Sequence, residues 1–579
     1  MSEISGFSFP LNVYARVLEL REGQADYLHY GIFDRPDEPV AAAQQRASDL
    51  LWQALPPPCR LLEVGIGLGT TLARLRAAGY EACGITPDAS QVAAARTRHG
   101  GIDAEVARLE DFNRAAGTWQ TLLFQESAQY IDPVALFDAA DRLLVDGPAT
   151  LLVMDEFALR RRCADDTGLH DLDAFIALAA RRGWRVVQRM DLSQRAAPTL
   201  DYLLDGVCTN ESRLRGELAL GAAELDALNA SNRRYRRLYD AGVYGYALLK
   251  FERERRPGCR LQWVGSEDSG AMRALFRGVF GNDMSAEHWH WKYGDGRGRA
   301  IGLMRDGAMI AHYGGMSRPI AWFGEPALAC QIGDVMVDPQ ATEGLLRHGP
   351  MVQVAESFLD SQLGWGRPHR VGFGFPNERA FRVAERSGLY AGVDSIVRLQ
   401  WPARRGEPSR SVIELAAADL QPGGRYRERA QRLWQQMAAA WRHAVLCVRD
   451  ASWLLHRYFE RPGVRYHVSL LRSRWTRRPL GIVVLRRHEG HVDVLDLIGP
   501  PQAFEPLIAL ARQRAAEWGL ERVECWITAS QASVLRAIDP AAQTEQPMGI
   551  TVPANVRTPG PVDELRNRWF LLAGDADFT

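Results

Sequence analysis

Residues 61–71 read LLEVGIGLGTT. An apolar run leads into Glu63, and glycines follow at 65, 67 and 69. This pattern predicts a buried strand, a glycine-rich turn and then a helix. A dinucleotide-binding fingerprint would need glycine at 65, 67 and 70, and position 70 is Thr. The turn therefore points to a different ligand. Glycine lets the backbone approach that ligand closely and take φ values closed to other residues.

Strand-like runs alternate with helical stretches on both sides of the turn, through residue 250. CRLLEV, EACGIT, TWQTLLFQ, ATLLVMDE, WRVVQRMD and YGYALLKFE read as strands, with SQVAAARTR and PVALFDAADRLL as intervening helices. That alternation predicts an α/β, doubly wound, mostly parallel sheet. The polar stretch ERERRPGCR at 252–260 reads as a domain boundary.

The pattern then changes. A strand and helix (RLQWV, SGAMRALFRGVF) precede a meander of AIGLMRD, AMIAHYGGMSRPIAWF and ALACQIGDVMV. A helix near 350–363, the strand HRVGFGF, the helix NERAFRVAERSG and the strand SIVRLQWP follow. PARRGEPSR at 402–410 reads as a linker. Residues 411–579 repeat much of that order, which predicts a structural duplication. The expected domains are 1–255, 260–401 and 411–579.

With 579 residues the chain is long enough for roughly three or four domains. Its 70 basic and 70 acidic residues cancel, so nothing favours a nucleic-acid partner. Lys250 and Lys292 are its only lysines, an arginine skew expected of a GC-rich bacterial genome. The eight cysteines form no CxxC pair, and no metal-binding cluster is recognised. The first residues lack a basic start and apolar core, and no apolar run is long enough for a membrane span. No membrane partner and a cytoplasmic location are expected.

Residues 61–130 resemble class I S-adenosylmethionine-dependent methyltransferases of the small-molecule type, whose first motif is E/DxGxGxG. The resemblance implies a Rossmann-like domain with S-adenosylmethionine as cofactor, held by Glu63, Gly65, Gly67 and Gly69. EACGITPDASQV is similar to a subset in which Thr86 and Gln91 line the cofactor pocket. ARLEDF places Leu109, Glu110 and Asp111 where the family contacts adenine. QTLLFQESAQYI places Gln125, Glu126 and Ser127 toward cofactor and substrate, with Glu126 a candidate catalytic group. In ADYLHYGIF (25–33), Tyr27, His29 and Tyr30 are candidates for acceptor contact. His29 is the candidate base, and ordinary aromatic packing is the alternative.

Residues 261–400 resemble the GNAT acyltransferase superfamily through ALFRGVFGNDMSAEHWHWKY, QIGDVMVDP and GFGFPNERAFRVAERSGLY. The implied architecture is two GNAT-like mixed α/β (α+β) domains, the second degenerate, with acetyl-CoA or another acyl-CoA as cofactor. Main-chain groups around Val335 and Val337 would meet the pantetheine arm. Arg347 and Gly349 would form a remnant phosphate site in place of the usual loop, and Asn377 starts the helix beside the thioester. Asp334 is the candidate base, with a strand carboxylate bonded to a neighbour as the alternative; Tyr390 is the candidate acid. The residues 411–579 have no phosphate loop, DLIGPPQAF taking its place, and are expected not to bind acyl-CoA.

The leading expectation is a bifunctional tailoring enzyme that methylates a small molecule and N-acylates an amine, of amino-sugar or secondary-metabolite type. One alternative is a polyketide-loading-type protein acting on acyl groups held by an acyl carrier protein. Another is an active methyltransferase with a non-catalytic GNAT-like module.

Overall fold

The computed structural model describes residues 6–160, 168–341, 349–364, 366–405, 411–555 and 561–579. The chain divides into two compact units, Met1–Gln262 and Trp263–Thr579.

The first unit is a Rossmann-like doubly wound α/β domain. Its strands are β1 (Arg60–Val64), β2 (Glu81–Thr86), β3 (Ala104–Val106), β4 (Thr121–Gln125), β5 (Ala149–Ala158), β6 (Arg185–Asp191) and β7 (Tyr244–Arg253). They form one sheet in the order β3-β2-β1-β4-β5-β7-β6. β1 runs parallel to β2 and β4, while β7 is antiparallel to both β5 and β6. Every residue of β4 and β5 is buried, which explains their unbroken apolar runs: helices cover both faces of the sheet. The strand order reverses between β1 and β4, so a crevice opens beyond the carboxyl ends of these strands. The glycine turn lies at that point.

Past the division the mixed α/β architecture is built from two further sheets. The division falls within β8 (Arg260–Trp263), which is followed by β9 (Gly298–Arg305), β10 (Ala308–Trp322), β11 (Glu325–Val337), β12 (Val371–Phe373), β13 (Tyr390–Pro402), β14 (Ser411–Glu414) and β15 (Val445–Cys447). The last strands are β16 (His467–Arg472), β17 (Pro479–Arg487), β18 (His491–Ile498), β19 (Arg522–Thr528), β20 (Thr544–Asn555) and β21 (Trp569–Phe570). One sheet holds β12-β11-β10-β15-β21, with β9 also paired to β10. The other runs β14-β16-β17-β18-β19-β13-β20.

This topology corrects the expected separation of 260–401 from 411–579, because the two stretches exchange strands. β13, expected to finish the first stretch, lies between β19 and β20 in the other sheet. β15 pairs with the end of β10 at Ile320–Trp322, and β21 pairs with β15. A buried cluster shared by Trp322, Phe373, Val445 and Trp569 binds these contributions together. Among the described residues no helix is long and apolar enough to cross a membrane.

Candidate functional site

In the first unit, the glycine turn connects β1 to the helix Thr70–Ala77. Gly65, Gly67 and Gly69 all have positive φ, at 84°, 50° and 76°. A Cβ on Gly65 would sit 2.5 Å from the Ser127 Cβ, and one on Gly69 would sit 2.7 Å from the Ala95 Cβ. Glycine is required at both for conformation and for space. The turn borders a cavity of about 800 Å³ at the switch point, a size that suits a small-molecule site.

The predicted cofactor residues of this unit converge on the cavity, with two exceptions, Gly69 and Asp111. Glu63, Thr86, Gln91, Glu110 and Gln125 line it together with Gly65 and Gly67, while Gly69 lies behind the wall, against Ala95. Asp111 is exposed and lies outside the cavity wall, a correction to its expected role. Thr86 Oγ1 donates to Gln91 Oε1 at 3.0 Å, which ties the end of β2 to the helix Ala89–His99. Asp88 caps that helix by accepting from Ser90 N at 2.8 Å.

Three polar atoms in the cavity wall are buried without a hydrogen-bond partner: Glu63 Oε2, Asp88 Oδ2 and Gln125 Nε2. Burial alone pushes the Glu63 carboxyl up to about 8. Such atoms are costly unless a ligand satisfies them. Two acceptors and one donor around a glycine cradle fit the amino-acid end and hydroxyls of S-adenosylmethionine.

No protein-family model matches the chain, and neither does any curated protein. Solved structures do resemble parts of it. The cyclase SpnF is 20% identical over 42% of this chain and 92% of its own, at a TM-score of 0.36. Geranyl diphosphate C-methyltransferase from Streptomyces coelicolor A3(2), crystallised with S-adenosyl-L-homocysteine, is 17% identical over 43% and 95%, at 0.34. A conserved Enterococcus faecalis V583 protein of unknown function, a probable N-acyltransferase, is 13% identical over 54% and 74%, at 0.41.

The acceptor end of the cavity differs from expectation. His29 is buried, and both ring nitrogens are engaged: Nδ1 with Tyr30 O at 2.9 Å and Nε2 with Ser48 Oγ at 3.2 Å. Burial lowers its pKa to about 4. The ring is a brace in the cavity wall, with no nitrogen left to take a proton from an acceptor. Glu126 does face the cavity, from the exit of β4, with a φ of 55°. Its Oε1 accepts from Tyr30 N at 2.5 Å and Tyr246 OH at 2.6 Å.

Sequence reasoning missed Glu156 on β5, which lines the same cavity and accepts from Tyr239 OH at 2.7 Å. It also missed Tyr14, Tyr202, Asn232 and Tyr235, which reach the cavity from the helices Leu11–Glu22, Pro198–Thr209 and Ala222–Asp240. The acidic pair closing ATLLVMDE was the available signal for Glu156. The helical residues carry no local motif.

In the second unit, β11 opposes β10 through a bulge between His312 and Gly314. Asp334 sits in that bulge with a φ of 51°. Its carboxylate accepts from Lys292 Nζ at 2.7 Å and Tyr293 OH at 2.6 Å, and Lys292 also bonds Asp577 at 2.7 Å. Burial opposes the charge, but Lys292 and Tyr293 hold the carboxyl below its usual range. Asp334 is thus a fixed member of an ion-pair cluster, a correction to its expected role as base. Tyr390 OH is likewise engaged, with Tyr313 OH at 2.7 Å in the core. Asn377 caps the helix Glu378–Arg386 by accepting from Ala380 N at 2.9 Å.

Val335 and Val337 lie on a stretch of β11 whose far edge is open. β12 pairs with β11 only at Ala329–Gln331, so among the described residues the two strands part beyond that point. Gly349 precedes the helix Pro350–Gln362, and Arg347 lies outside the described residues. Contrary to the expected absence of a metal-type cluster, His488, His491 and Asp493 converge within 4.8 Å at the β17–β18 turn. They share one face because the two histidines close the hairpin.

Proposed function

We propose that the first unit is a methyltransferase that binds S-adenosylmethionine and methylates a small-molecule acceptor. The observation that carries this is the set of unpartnered buried atoms, Glu63 Oε2 and Gln125 Nε2, beside a turn that only glycine can make. Glu63 would take the cofactor's ammonium, while Thr86, Gln91 and Glu110 surround its nucleoside end. Bound there, the cofactor supplies an activated methyl group on a sulfonium. The chain's part is to orient the acceptor in line, to exclude water and to accept a proton.

For the second unit we propose an acyl-CoA-type fold in which the parted β11 and β12 form the cofactor gap. N-acyl transfer to an amine is one reading, and a non-catalytic module is the other. The engaged states of Asp334 and Tyr390 favour the module, since neither is free for proton transfer. Calorimetry with S-adenosylmethionine and acetyl-CoA, each alone, tests both units. Heat with the first and none with the second would remove the acyltransferase reading. A folded protein that takes up no S-adenosylmethionine would remove the methyltransferase reading.

A further inference from the structure

The first unit's cavity has an unusual charge balance. Its walls carry Asp26, Glu63, Asp88, Glu110, Glu126 and Glu156, and of the basic types only Arg108 and His29 among the described residues. Arg108 is exposed and lies 3.8 Å from Glu110, and it pairs with neither Glu126 nor Glu156. His29 is held neutral by burial. Glu156 is buried and Glu126 half-buried, and among the described residues neither has a cationic partner. Each is held by tyrosines instead: Tyr246 on Glu126, and Tyr239 and Tyr30 on Glu156.

The geometry prepares these groups for a ligand. Both hydrogen bonds to Glu126 fall on Oε1, which leaves Oε2 for another donor. Glu126 also keeps a left-handed backbone conformation that disfavours a side chain, a strain found where function demands a position. The rings of Tyr14, Tyr30, Tyr130, Tyr202 and Tyr235 line the same space. Tyr30 stacks on Tyr246 with ring centroids 5.7 Å apart and 5° between planes, which fixes its face. Tyrosine faces attract cations, and a desolvated carboxylate without a partner is costly until a cation arrives.

We infer that the methyl acceptor is a cationic amine, bound between the tyrosine rings and the carboxylates of Glu126 and Glu156, with Glu126 as its proton acceptor. The inference rests on the methyltransferase reading of this cavity. The ammonium proton passes to Glu126, leaving a neutral carboxylic acid and a neutral amine. The amine's lone pair then forms the new N–C bond as the S–C bond breaks, and its electron pair returns to sulfur. The product is a methylated ammonium and a neutral thioether. Burial raises both carboxyls above the usual carboxylate range, Glu156 to about 7, which makes each a stronger proton acceptor. The same walls repel phosphates and carboxylates.

The test uses the full chain saturated with S-adenosylhomocysteine, whose sulfur is neutral. Affinities are measured by ligand-observed NMR for choline, its uncharged isostere 3,3-dimethylbutan-1-ol, and the anion 3,3-dimethylbutanoate. Choline is expected to bind at least about tenfold more tightly than the alcohol, and the anion more weakly than either. Glu126→Gln and Glu156→Gln should each lower the choline-to-alcohol ratio. Equal affinities, a preference for the anion, or no uptake of any probe would overturn the inference. The wild-type ratio decides even if a variant folds poorly. Failure to bind S-adenosylhomocysteine would count against the cofactor reading alone, and the three probes would then be compared without it.

Discussion

Glu63 is the residue on which the cofactor reading turns, and its burial makes a measurable prediction. Its carboxyl is pushed up to about 8 in the folded protein, against ~4.3 in an unfolded chain. The folded state therefore binds this proton more tightly. Its contribution to stability is complete below pH ~4.3 and is lost as pH rises through 8. The melting temperature of the ligand-free protein should fall between pH 5 and 8, and Glu63→Gln should flatten that fall. Asp155 and Glu156, both raised to about 7 by burial, keep part of the slope. The same substitution should weaken S-adenosylmethionine by about 1.5–3 kcal/mol, read by calorimetry. At this scale the sequence was informative only where a motif fixed a position. Glu63, Thr86, Gln91 and Gln125 reached the cavity because the turn and strand ends place them there. His29 and Asp334 were chosen by residue type, and their hydrogen-bond partners, Ser48 and Lys292, are remote in sequence.

Among elements, the β1 turn offers the sharpest test. Gly65→Ala puts a side chain at φ 84° and within 2.5 Å of the Ser127 Cβ. Stability should fall by about 1–3 kcal/mol, and cofactor affinity by about tenfold or more. Thermal unfolding with and without S-adenosylmethionine checks both. Strand identity was legible wherever an apolar run was long: EACGIT is β2 residue for residue, and YGYALLKFE lies within β7. The strands that escaped are β3 and β15, only three residues each, and β20, whose polar TEQPMGIT start hides it. Pairing was harder to read than identity. SIVRLQWP announces a strand, but nothing local says that β19 and β20 are its neighbours.

For the whole molecule, the two units should behave differently when cut. Every strand of the β3-β2-β1-β4-β5-β7-β6 sheet comes from residues before 254. A fragment of residues 1–262 is expected to fold alone and to bind S-adenosylmethionine. Residues 263–401 alone lack β15 and β21 and leave β13 without either partner. That fragment is expected to aggregate or stay unfolded, while a protease site inserted after Arg405 should yield halves that remain associated. Circular dichroism, gel filtration and calorimetry on these species decide the matter.

The exchange of strands also sets a timetable for synthesis. β10 is available early, but β21, joined through β15 to the same sheet, is made roughly 300 residues after the second unit begins. At ~5–20 residues per second that is a wait of about 15–60 s. Until then Trp322 and Phe373 have no Trp569 to cover them. The nascent second unit would depend on chaperones to shield that surface, and premature termination near residue 560 would leave an aggregation-prone product beside an intact first unit.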